Sequence, residues 1–115
     1  MLGLVTIDDD VLVGPAVQIP SGPHLHGTDR LDIPIREQPG TPIRITIGRD
    51  SWLGAGSIIL ADIAEQTVVA AGSVVTKPHP PKTILAGIPA KVIKQRQEKT
   101  NHPPPIPSAP REGQA

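Results

Sequence analysis

The sequence predicts an all-β fold, a parallel β-helix of about three coils that carries an extended loop, a short C-terminal helix and a disordered tail. Three observations lead there. Apolar residues recur every six positions over much of the chain. Trp52 is the single aromatic residue, so a sandwich or a helix-packed core, in which aromatics usually carry much of the buried area, is disfavoured. The 15 prolines and 11 glycines suit short straight pieces joined by many corners. A length of 115 residues makes one domain the natural expectation.

The period carries the prediction. Met1, Ile7, Val13 and Ile19 are six residues apart, with Val5, Val11 and Val17 at the fifth place of their blocks and Gly14 at the second. The pattern returns at Ile47, Leu53 and Ile59, and again at Ile63, Val69 and Val75. Here Gly48, Gly54, Ala64 and Ala70 stand second, and Ser51, Ser57, Thr67 and Ser73 fifth. The step from Ile59 to Ile63 shortens one block by two. A six-residue block is a short β-branched strand plus a corner. Its first residue is expected to point inward and stack on equivalents above and below. Its second is expected to be small because the backbone turns there. Three blocks close a triangular coil, and stacking supplies the hydrogen bonds that such short strands cannot keep alone. Ordinary alternating strands of a small sandwich are the competing reading, and a six-residue phase held over so many blocks, hard to obtain by accident, disfavours it.

Residues 20–46 leave the period. They hold Pro20, Pro23, Pro34, Pro39, Pro42, His24 and His26, and a loop this long in a compact domain points to function or disorder. Residues 1–88 thus form the β-helix domain with its protruding loop. The segment 89–99 is expected to be a short helix, with Pro89 at its start, Val92 and Ile93 on an apolar side, and Lys91, Lys94, Arg96 and Lys99 making it basic. Residues 100–115 contain five prolines and few apolar residues, and are expected to be disordered.

Composition excludes several function classes. Eleven basic and eleven acidic residues cancel, which argues against a nucleic-acid partner. Without cysteine there is no disulfide framework, thiolate nucleophile or thiolate metal site. No apolar run approaches ~18 residues and no signal peptide is visible, so neither a membrane span nor secretion is expected, and a cytoplasmic location is favoured.

The stretches Ile7–Ile19, Ile47–Ser57, and Val69–Lys77 followed by Ala86–Ile93 resemble the hexapeptide-repeat acyltransferases, most closely the maltose, galactoside and polysaccharide O-acetyltransferases. The resemblance covers roughly residues 5–95. It implies a left-handed winding, which the period alone does not show and which departs from the usual right-handed crossover. It also implies a homotrimer with the donor cleft between subunits, acetyl-CoA as acyl donor, a sugar or polysaccharide hydroxyl as acceptor, and no metal.

Site residues follow from the same resemblance. His24, five residues after Ile19, matches the family's general base, which takes the hydroxyl proton while the oxygen attacks the thioester. Imidazole suits the task because its ordinary pKa of ~6.5 leaves it mostly neutral yet basic near neutrality. A solvent-exposed loop histidine is the plainer reading. His26 is expected to contact the acceptor, or to be the base itself. Trp52 is expected to line the acceptor or pantetheine side of the cleft, and simple packing between coils is its alternative. Ala55 and Ala71 match positions whose backbone groups bind the pantetheine amides. Thr76 and Lys77 match a Thr-Lys pair at the phosphate end of coenzyme A, and Lys91 is a weaker candidate on that side. A histidine metal site is disfavoured because His79 and His102 fall in the C-terminal linker and tail. Family chains carry coils upstream of the point matching Met1, which supply an Asn that orients the base and an Asp that binds the sugar; Leu2 stands near the place of that Asp. The alternative function is therefore a non-catalytic or truncated trimeric β-helix module.

Overall fold

The computed structural model describes residues 4–99, 101 and 103–107. The repeat position assigned to Met1, the position of Leu2 and most of the expected tail lie outside the described residues. Residues 101 and 103–107 are exposed and form no helix or strand.

Nine strands build three sides of a prism. The first side pairs β1 (Val5–Ile7) with β3 (Ile45–Ile47), and Ile47 bridges onward to Ile63. The second stacks β2 (Leu12–Val13), β4 (Trp52–Leu53), β6 (Val68–Val69) and β8 (Thr83–Gly87) in parallel. The third joins Gln18, β5 (Ile58–Ile59) and β7 (Val74–Val75). Trp52 pairs with Val68 and Val68 with Ile84, each sixteen residues on, so one turn here is two residues short of three full hexapeptides. Leu12 pairs with Trp52 forty residues on, because the long loop is inserted between them.

The predicted inward ladder is the core. Ile47, Leu53, Ile59, Val69 and Val75 are buried to within 1%, Ile63 is 3% exposed, and Leu85, which the period did not name, extends the ladder by one place. Burial of one such side chain is worth roughly 1.5–3 kcal/mol. Ile7 and Val13 differ, at 49% and 45% exposed. They stack on Ile47 and Leu53 below, and no described strand lies above them. The fifth-place hydroxyls also point inward and are buried. Ser51 Oγ donates to Ala64 O at 3.2 Å, Thr83 Oγ1 donates to Pro80 O at 2.9 Å, and Ser73 Oγ accepts from Gly87 N at 3.2 Å. Ser57 Oγ is buried without a hydrogen-bond partner among the described residues.

The reason for small second-place residues differs from the expected one. Left-handed backbone falls elsewhere in the block, at Asp10, Ala16, Asp50, Gly56, Gln66, Gly72 and Lys82. Gly48 is required by contact between coils, since a Cβ there would lie 2.5 Å from Glu65 N. At Gly54 it would lie 2.6 Å from Ala71 N. The coils approach so closely because their backbones hydrogen-bond directly, as in Gly48 N to Ile63 O at 2.7 Å and Gly54 N to Val69 O at 2.8 Å.

Two expectations are corrected. Segment 89–99 is not a helix: β9 (Ala90–Gln95) runs antiparallel to β8 and closes the edge of the second side. The chain reverses at Gly87, whose φ is +106°, and Ala90 is buried against the core. The unpaired edge of β8 offers a full set of backbone partners, and β-branched Val92 and Ile93 suit a strand, so pairing outweighs the short segment's helical preference. The loop is also shorter than 20–46, because Ile45 and Thr46 already belong to β3 and Ile45 is fully buried.

Leu53→Ala is expected to cost about 2–5 kcal/mol by opening a cavity in the ladder. Gly48→Ala, which adds one methyl group at a buried contact between two coils, is expected to lower the thermal midpoint as clearly. Thermal unfolding followed by circular dichroism checks both, and an unchanged midpoint for Gly48→Ala would contradict the close-contact account.

Candidate active site

The loop that carries His24 and His26 leaves the prism after the third side of the first turn and returns at β3, so it is rooted at the corner between the third and first sides. Its root is fastened by Ser21, which is buried. Ser21 Oγ accepts from Leu4 N at 2.8 Å and its carbonyl accepts from Ile43 N at 2.9 Å. Gly22 has φ +89°, and a Cβ there would meet Ile43 Cγ1 at 2.7 Å.

Beyond the root the loop folds on itself, so that residues 24–27 lie against residues 38–41. Thr41 N donates to His24 O at 2.7 Å, and Gly27 N donates to Gln38 O at 3.3 Å. His26 and Pro39 form an antiparallel bridge. Gly40 fits against the histidine segment so closely that a Cβ would lie 2.2 Å from Leu25 C and O and 2.5 Å from His24 O. The segment's backbone is therefore held at both ends despite its exposure.

Both histidines are exposed. Neither ring nitrogen of His24 has a hydrogen-bond partner among the described residues, whereas Nδ1 of His26 lies 3.3 Å from Gln38 O. Gln38, 4% exposed, joins the loop together. Its Nε2 donates to Arg30 O at 2.7 Å and Ile33 O at 3.1 Å, and its Oε1 accepts from Arg30 N at 3.2 Å. A short 3-10 turn, Ile35–Glu37, delivers it to that position. Arg30 pairs with Asp32 at the surface, Nε to Oδ1 at 3.0 Å with a second, shorter contact. The hydrogen bond from Arg30 holds the Asp32 carboxyl below its ordinary range, helped by a backbone hydrogen bond, and the same pair raises Arg30. The pair is fully exposed, so it orders the loop rim and adds little stability.

The remaining candidates lie elsewhere on the prism. Trp52, 51% exposed, faces outward from the second side, in register with Leu12 and Val68. Ala55 and Ala71 sit one above the other on the corner between the second and third sides, where Gly72 N donates to Ala55 O at 2.9 Å. Both are exposed, and their amide N–H groups donate to no other described residue. Thr76 and Lys77 follow β7 and are exposed, at the corner below the root of the histidine loop. Lys91 lies on β9 opposite Ala86. Within one chain, then, the histidines and Trp52 belong to an opposite corner and side of the triangle. A cavity of about 440 Å³, lined by Gln66, Lys82, Arg96, Gln97 and Glu98, lies at the third corner, away from both histidines and from Ala55 and Ala71. Among the described residues no group of three or more His, Asp or Glu side chains could hold a metal ion, and no helix is long and apolar enough to cross a membrane.

Gln38, Ser21 and Gly40 were not singled out by the sequence. Pro39-Gly40 is a turn signal, but no periodicity marks a glutamine amide that acts through three loop contacts.

The chain is similar to known proteins over most of its length. It is 35% identical over 101 residues to the galactoside O-acetyltransferase of Escherichia coli K12, an alignment that covers 85% of this chain and 47% of that protein. A maltose O-acetyltransferase structure from Clostridium difficile superposes with a TM-score of 0.69 at 35% identity, over 82% of this chain and 49% of the other. A galactoside acetyltransferase in complex with coenzyme A superposes with a TM-score of 0.67 at 29% identity, over 90% of this chain and 53% of the other. No protein-family profile matches. The chain spans about half the length of the curated relatives it matches.

Two outcomes follow from the loop geometry. Gly40→Ala is expected to push the 24–27 segment aside and shift the backbone amide resonances of Leu25 to Gly27, while the core resonances of β4 to β7 stay in place. The Asp32 carboxyl is expected to titrate below the ordinary ~3.9, and Arg30→Ala to return it upward. Because the folded value is depressed, the pair's small contribution is present above the unfolded carboxylate pKa and is lost as pH falls through the folded one. Carboxyl-carbon NMR titration reads this directly.

Proposed function

Because the chain belongs to the hexapeptide-repeat acetyltransferase family, we propose that it is an acetyl-CoA-dependent O-acetyltransferase acting on a sugar or polysaccharide hydroxyl, and that it winds left-handed as that family's coils do. The observation that carries this is the ordered loop with His24, set between two turns of a β-helix 35% identical to a galactoside O-acetyltransferase.

His24 is the general base. Its neutral imidazole takes the proton of the acceptor hydroxyl as that oxygen bonds to the acetyl carbonyl carbon. The C–S bond then breaks, the imidazolium returns its proton to the departing sulfur, and an acetyl ester and free thiol result. The chain has no cysteine, and among the described residues no serine hydroxyl hydrogen-bonds a histidine ring, so nothing favours a covalent acyl intermediate. His26 and Trp52 contact the acceptor, and the outward amides of Ala55 and Ala71 fit the carbonyls of a pantetheine arm. Thr76 and Lys77 hold the phosphate end, where an ammonium is a suitable point charge.

These groups work together only if subunits combine. His24 and Trp52 lie on opposite parts of one triangular prism, which supports a homotrimer in which His24 of one chain meets Trp52 and the Ala55–Ala71 corner of a neighbour. The outward stripe of Leu12 and Trp52, 60% and 51% exposed, supplies apolar surface for such a contact. A donor of this kind is an intracellular metabolite, in keeping with a cytoplasmic protein.

Isothermal calorimetry with acetyl-CoA, beside sedimentation velocity, tests the reading. A trimer that binds the donor, with binding weakened by Lys77→Ala, is the expected result. In a thiol-release assay with galactosides and maltose as acceptors, His24→Ala is expected to lower kcat by about 10²–10⁴-fold. A monomer with no donor binding would instead favour a non-catalytic β-helix module.

A further inference from the structure

The hydrogen bonds around Gln38 bear on the chemistry of His26. The Gln38 side chain spends its amide on the loop backbone, at Arg30 O, Ile33 O and Arg30 N. These three contacts, with 4% exposure, leave its backbone carbonyl in one place. That carbonyl has two lone pairs and two neighbours, Gly27 N and His26 Nδ1, each at 3.3 Å. A carbonyl oxygen only accepts, so Nδ1 of His26 must be the donor. In a neutral imidazole the other nitrogen is then the acceptor. Nε2 of His26 has no partner among the described residues, and the ring is exposed. His24, two residues away, has no such contact on either nitrogen.

We propose that Gln38 is a positioning residue, which holds His26 as the Nδ1–H tautomer and so presents Nε2 as a fixed hydrogen-bond acceptor for a hydroxyl of the acceptor molecule. This rests on the acetyl-transfer reading for the identity of the ligand, a polyhydroxylated compound, but not for the tautomer. The division of labour is chemical. The His24 ring, without a partner among the described residues, moves a proton; the His26 ring, fixed by the Gln38 carbonyl, receives a neighbouring hydroxyl and sets which oxygen faces His24. Acceptors with two adjacent hydroxyls are preferred over those with one.

Long-range proton–nitrogen correlation spectra of the full chain, labelled with nitrogen-15, decide the tautomer above neutral pH. The expected result is Nδ1 of His26 protonated and Nε2 pyridine-like in the wild type, with Gln38→Met shifting the ring to a mixture of tautomers. With a methyl galactoside as the acceptor, Gln38→Met and His26→Ala are each expected to raise the acceptor KM about 3–10-fold, with kcat changed less than about twofold, the effect of one neutral hydrogen bond. Acetyl-CoA affinity stays at the wild-type value. A wild-type His26 protonated at Nε2 overturns the proposal whether or not Gln38→Met folds. A loss of kcat in His26→Ala as deep as in His24→Ala also overturns it, since His26 would then be the base. Absence of any acetyl transfer by the wild type removes the acetyltransferase reading instead, and the tautomer measurement distinguishes the two failures.

Discussion

Backbone hydrogen bonding between successive turns is the constraint on which the rest of this structure depends. Strands of two or three residues cannot persist alone, and they form here because each is paired to the turn before or after it, forty residues away across the inserted loop and sixteen residues away beyond it. That pairing dictates the residues. The aliphatic side chain at the start of each block must meet its own kind above and below. The following residue must leave room for a backbone a hydrogen bond away, as at Gly48 and Gly54. The fifth-place side chain must be small enough for the interior yet able to satisfy corner carbonyls, which serine and threonine do.

The same stacking explains how a flexible-looking insertion becomes ordered. The loop between the first and second turns is anchored where two paired turns already fix its ends, so Ser21 and Ile43 begin close together. From that root, a buried amide at Gln38 and a missing Cβ at Gly40 bring residues 24–27 and 38–41 together without a regular sheet. The histidines consequently sit on a short rigid segment whose backbone is bonded while their side chains face solvent. Such an arrangement suits groups that must meet a ligand in a definite orientation.

A triangular cross-section has a further consequence. Residues that are neighbours in a chemical scheme occupy different corners of one chain, with His24 at one vertex and Trp52 on the side facing it. On the proposed acetyl-transfer reading these are two half-sites, and apolar surface is left exposed at Leu12, Val13 and Trp52. Both features favour association of chains through the sides of the prism.

Six-residue periodicity made the β-helix legible because each block repeats one physical problem, and the shortened block at Ile59 to Ile63 foretold the sixteen-residue turn. The corners at Ala55 and Ala71 followed from the same phase, whereas Trp52, Thr76 and Lys77 were singled out by resemblance alone. The C-terminal strand was not legible. The partner that decides the conformation of residues 90–95 is β8, separated from them only by Ile88 and Pro89, and β8 is itself held as a strand by pairing with β6 on the preceding turn. The loop was legible only as an interruption. Which backbone carbonyl meets His26, and that a glutamine amide holds it there, depend on contacts between residues 24–27 and 38–41 that carry no period. The sequence by itself determined the repeating unit, because local spacing and inward stacking are the same information. Only the tertiary structure decided the orientation of the histidine ring and the fate of the final segment, because the first is set by a hydrogen bond across the loop and the second by a strand edge that β8 offers once it has paired with β6, and neither contact repeats.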